Sequence, residues 1–176
     1  MLSMPAYRRM FWRAIHDAVN GPFSPPVLNP ILDANHAFLS TNYSISTTNA
    51  SPLLSPDQGQ LGVPALRPWI TNRYNFLTGQ LATVSAPFEI SNNGGNNFAV
   101  TNQTGLTLFG KAPIQAAYLR INGAITNANV TWTSVTNWST GIALPLGTNI
   151  VTVDGYDRMN QIIGGLSDSI VITNWP

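Results

Sequence analysis

The spacing of the apolar residues changes at Ala86-Pro87, and this change constrains the fold more than any other feature of the chain. Before it, hydrophobic side chains recur three or four residues apart: Tyr7, Phe11, Ile15 and Val19, then Leu66, Ile70, Tyr74, Leu77 and Leu81. That spacing puts them on one face of a helix. After it they recur every second residue, as in Leu106 and Leu108 or Val151 and Val153, the period of a strand buried on one face. One segment cannot satisfy both periods. The expected fold is therefore α+β in two modules, about three helices over residues 1–85 and an all-β sandwich over residues 86–176.

The first helix should run to about Val19, because Pro5 is tolerated in a first turn and Asn20-Gly21-Pro22 supplies a left-handed cap followed by a residue that cannot continue the ladder. A second, shorter helix is expected from near Pro26 or Asn29-Pro30, with Ile31, Leu32 and Phe38 on its buried side, and a third over residues 66–81. Between them, residues 40–62 are rich in Ser, Thr, Asn and Pro without a sustained period, which predicts a long surface loop. Such loops are uncommon inside a complete compact domain. The helices are accordingly expected to have packed on a partner upstream of residue 1.

In the second module, turn residues at short intervals punctuate candidate strands at residues 88–91, 98–101, 105–110, 117–121, 130–133, 138–143, 149–157 and 169–173. Asn122-Gly123 is the sharpest local signal, since this pair accepts two consecutive positive φ angles, and it predicts a tight hairpin.

Charged residues are 9% of the chain, so its surface must be solvated largely by neutral amides and hydroxyls. This composition suits an extracellular or cell-surface β-protein. With no cysteine there is no disulfide framework, thiolate metal site or cysteine nucleophile. The part before Pro87 carries five arginines against three aspartates, and the part after it is slightly acidic. Neither offers the basic stripe that a nucleic acid requires. No apolar run approaches the roughly 20 residues of a membrane span. An amphipathic helix follows Met1 without an apolar export segment, so the chain is expected to be part of a longer reading frame.

The stretch Leu2-Ser3-Met4-Pro5-Ala6-Tyr7-Arg8-Arg9-Met10-Phe11-Trp12-Arg13, the Asn20-Gly21-Pro22-Phe23 turn, and Trp69-Ile70 with Arg73-Tyr74 resemble the closing helices of CotH-type kinase domains. These are atypical secreted kinases related to a spore-coat protein. The resemblance covers residues 1–85 and implies an upstream kinase-like domain as partner, holding the nucleotide-binding lysine and metal-binding aspartates. No catalytic residue of that family maps onto this chain. Leu146-Gly147-Thr148-Asn149-Ile150-Val151-Thr152-Val153 and its neighbours resemble the bacterial immunoglobulin-like repeats appended to secreted enzymes.

No catalytic constellation, cofactor motif or phosphate loop emerges. Asn92-Asn93-Gly94-Gly95-Asn96-Asn97 is a polar turn, not a strand-to-helix cradle. His16-Asp17, with Asp33 and His36 nearby in sequence, falls short of the ligands a hydrolytic metal site demands. Asp154, Asp157 and Asp168 could supply oxygen ligands to Ca²⁺, although their spacing matches no ligand loop. Trp132 and Trp138 could stack on a sugar ring if exposed, or fill the core if not. The chain is thus expected to be a non-catalytic fragment of a CotH-kinase-like surface protein whose sandwich acts as a spacer or interaction module. The alternatives are an adhesion or carbohydrate-binding module meeting surface glycans or other surface proteins, and part of an atypical kinase whose catalytic core lies upstream.

Overall fold

The computed structural model describes residues 3–42, 56–58, 65–124 and 128–176. Helix α1 is Pro5–Val19, α2 is Pro25–Asn42 and α3 is Leu66–Ala82. The second helix is longer than its sequence suggests. Pro25 and Pro26 occupy the first turn, where amides have no intrahelical acceptor, and Pro30 removes only one bond of the ladder while the helix continues past it. It ends where the hydroxyls of Ser40 and Thr41 turn back to donate to the carbonyls of His36 and Ala37, a local competition that loosens a last turn. Most of the loop expected at residues 40–62 lies outside the described residues.

Eight strands follow among the described residues: β1 Glu89–Ile90, β2 Phe98–Thr101, β3 Gly105–Lys111, β4 Tyr118–Ile121, β5 Thr131–Trp132, β6 Asn137–Ala143, β7 Gly147–Tyr156 and β8 Ile162–Trp175. They form two four-stranded sheets, ordered β1-β3-β6-β5 and β2-β8-β7-β4. All pairings are antiparallel except β2 with β8, which run parallel from Phe98 beside Ile172 to Thr101 beside Trp175. Alternation puts Ile90, Leu108 and Trp138 of one sheet against Leu119, Val151, Val153, Ile170 and Ile172 of the other in a single buried cluster. Two sheets sharing one apolar interior make a sandwich.

Asn122 and Gly123 both have positive φ, 51° and 67°, and Ala124 donates to the carbonyl of Ile121, so the tight turn forms. The hairpin does not. Strand β4 pairs with β7, while β5 pairs with β6 in the opposite sheet, so the turn redirects the chain between layers instead of folding a strand onto its neighbour.

The chain divides into two compact units, one made of Met1–Ala14 with Thr83–Pro176 and the other of Ile15–Ala82. The change of period at residue 86 lies close to one division. The other falls inside α1, whose first turns belong with the sandwich. In the second unit α2 contacts α3, and Arg67 at the start of α3 reaches Asp33 of α2 and Asp57. Its buried apolar side chains among the described residues are Val19 and Ile70. No helix among the described residues is long and apolar enough to cross a membrane.

Candidate functional site

Three aspartates stood out in the sequence as oxygen ligands, and the fold engages each with groups of its own. Asp157 opens the β7–β8 turn, where its Oδ1 accepts from the amides of Met159 and Gln161, both at 2.8 Å. Asp168 accepts from the amides of Ile90 at 2.7 Å and of Ser169 at 2.8 Å. Asp154 accepts the hydroxyl of Ser167, opposite it on β8. Carboxylates are well suited to such work, because charged acceptors make stronger hydrogen bonds to backbone amides than neutral ones do. Among the described residues no three His, Asp or Glu side chains come together as a metal site. His16 and Asp17 lie 3.4 Å apart, neighbours on one turn of α1. On the sandwich, Lys111 is paired with Glu89 across β1 and β3 at 2.9 Å.

The two tryptophans face each other across β5 and β6, on the core side of their sheet. Trp138 is 2% exposed and lies against Gly110, where a Cβ would overlap the indole ring and the carbonyl of Glu89. It is a core residue and cannot meet a sugar. Trp132 packs at the margin of the same cluster, and the guanidinium of Arg9 covers its ring at 3.6 Å from the centroid. An exposed aromatic pair is therefore not what this fold builds, because both rings belong to the inner face at which the sheets close.

The Asn92–Asn97 loop is structural as well. Asn92 donates from Nδ2 to the carbonyl of Thr107 and accepts at Oδ1 from the amide of Phe109, as a neighbouring strand would. Asn97 accepts from the amide of Val171 and Asn122 from that of Thr152. Asn174 is buried, accepting from the amide of Gln103 and donating to the carbonyls of Gln103 and Leu144. A side-chain amide copies the donor and acceptor of a peptide group, so these asparagines finish ladders where the strands stop. Their abundance had suggested surface solvation alone. Every non-glycine residue with positive φ among the described residues is also an asparagine, since Asn tolerates the left-handed region.

Sequence reasoning missed a recess at one end of the sandwich, because its walls come from connections far apart in the chain. One cleft of about 570 Å³ lies between the end of β4 and the start of β7, with Asn122, Thr148, Asn149 and Ile150 on its walls. A second, of about 390 Å³, shares Ala143 and Pro145 with it and adds Asn102, Gln103 and Leu146. Leu146 is 62% exposed and Ile150 is 66% exposed. Among the described residues no acidic or basic side chain lines either cleft. Amides beside aliphatic side chains can bind a neutral polar ligand but hold no group able to move a proton at neutral pH.

No family model matches the chain, and no curated protein does. Among solved structures, the chain is similar to the fibronectin(III)-like modules of Clostridium thermocellum CbhA, at 14% identity and a TM-score of 0.36, over 51% of this chain and 99% of that one.

Proposed function

We propose that this chain is non-catalytic and that its sandwich serves as an interaction or spacer module. The observation that carries the reading is the double cleft at the end of the sandwich, which offers amides and exposed aliphatic groups on a rigid frame without an ionisable side chain. Loops held by a packed scaffold are where binding residues concentrate. A glycan or an extended neutral peptide would meet Asn102, Asn122 and Asn149 there, not the enclosed tryptophans. In this reading the protein works outside the cell, as a piece of a CotH-kinase-like surface protein. The helical unit would then dock on an upstream kinase-like domain. Exposed stripes support that docking: Val27, Ile31 and Phe38 on α2, and Leu66, Trp69 and Phe76 on α3.

The test is titration of the full chain with neutral polysaccharides and neutral peptides, followed by amide chemical shifts. A ligand should move the side-chain amides of Asn102, Asn122 and Asn149, and Ile150→Asp should abolish the response without altering the melt. If shifts move elsewhere on the sandwich, the cleft is not the site. If none move with any ligand, the module is a spacer.

A further inference from the structure

Arg9 is 2% exposed, yet among the described residues no carboxylate pairs with its guanidinium. Its Nη1 donates to the carbonyls of Ala112 at 3.0 Å and Val135 at 2.6 Å, and its Nη2 to those of Pro113 and Ala116, both at 2.7 Å. The guanidinium carbon lies over the ring of Trp132, 3.6 Å from the centroid. All five partners belong to the sandwich, four in or near the β3–β4 and β5–β6 connections and one on β5. We propose that this corner of the sandwich is a receptor site for an alkylguanidinium, the arginine side chain of an incoming helix, and that Arg9 is its tethered ligand in this chain.

Bonds that do not involve Arg9 build the walls of the site. The amide of Ala112 donates to the carbonyl of Thr136 at 2.9 Å, and that of Ala116 to the carbonyl of Pro113 at 3.2 Å. The hydroxyl oxygen of Ser134 accepts from the amides of Thr136 and Asn137, fixing the turn that presents Val135. These bonds hold the walls without using the arginine, and a site held in place in this way lowers the cost of binding. Its shape selects the ligand. Four carbonyls taking two bonds from each Nη, with an aromatic face beside them, match the fork of a guanidinium, whereas an ammonium has three donors and no plane to stack. A buried cation is tolerated only when its donors are met. Here four of five are, and Nε has no acceptor among the described residues. Burial, with a smaller contribution from Arg13, pulls the pKa of Arg9 down to about 9, so the group remains cationic at neutral pH.

Chemical rescue tests the proposal. Full-length Arg9→Ala would be titrated with methylguanidinium and, at matched ionic strength, with methylammonium, while the indole N–H of Trp132 and the thermal midpoint are followed. Methylguanidinium should shift the Trp132 resonance saturably and raise the midpoint, binding at least about tenfold more tightly than methylammonium. Equal or unsaturable responses to the two cations would overturn the idea. Should Arg9→Ala fail to fold, side-chain ¹⁵N spectra of the unaltered chain decide. Arg9 should then show resolved Nη protons that exchange at least about tenfold more slowly than those of Arg8 and Arg13; averaged, fast-exchanging Nη protons would refute a closed site.

Discussion

Leu108, Val153 and Ile172 of the sandwich are wholly enclosed, whereas Phe38, Trp69 and Phe76 of the helical unit each keep about half or more of their surface in water. Both regions carry ample apolar residues. What separates them is whether a second layer is present to receive the apolar face. Each sheet buries its inner side against the other, but α2 and α3 pack together while Val27, Ile31, Trp69 and Phe76 on them stay about half exposed. Stability follows enclosed area and not apolar content, so the two units should behave very differently in solution.

The strongest way to break this comparison is to empty the sandwich. Trp138→Ala should cost about 3–5 kcal/mol, the usual penalty for removing a buried aromatic, and denaturant unfolding would measure it. Trp138→Phe should cost far less, because the indole N–H it removes has no acceptor among the described residues. If both variants behave alike, the ring is not the centre of the core. Next in size is Asn174→Leu, which leaves the amide of Gln103 without its acceptor and should lower stability by about 1–3 kcal/mol, read from the urea midpoint.

A third change moves to the other unit. Ile70→Ala should reduce the helical circular dichroism while leaving the unfolding transition of the sandwich within about 0.5 kcal/mol of its original value. A matching loss in the sandwich would show that the two units melt together. The smallest effect is expected from Phe38→Ser and Phe76→Ser, each within about 0.5 kcal/mol by thermal melting, since substitutions of exposed residues seldom do more. A loss of several kcal/mol from either would mean that its stripe is already covered within this chain.

Much of the architecture was legible in the sequence. Among the described residues eight strands lie where alternation and turn residues put them, and α1 and α3 lie where the longer period put them, because both signals are local; α2 is longer than expected, and Ile31 and Phe38, expected on its buried side, are exposed. What failed was long-range. The sequence of β8 before Ser169 contains Gly164 and Gly165 and loses its alternation, yet the strand begins at Ile162 because β7 extends beside it. Asn122-Gly123 specified a turn, but strand partners are chosen by packing. Trp132 and Trp138 could not be assigned to a face, since the bend between them resets the alternation. Asn102, Asn122 and Leu146 come from separate connections, and no linear spacing brings them to two clefts that share Ala143 and Pro145. Nothing in the sequence set Arg9 apart from Arg8 and Arg13 on the same helix, because its partners are carbonyls more than 100 residues away.

The parallel pairing of β2 with β8 has a mechanical consequence. Near its end β8 lies between β2 and β7, with Ile172 to Trp175 beside Phe98 to Thr101 on one side and Gly147 to Asn149 bordering Ile172 to Asn174 on the other. A pull on Pro176 along the strand would load both ladders in shear, so many hydrogen bonds would have to yield together instead of opening one after another. Tension transmitted through this end of the sandwich would meet its stiffest element first.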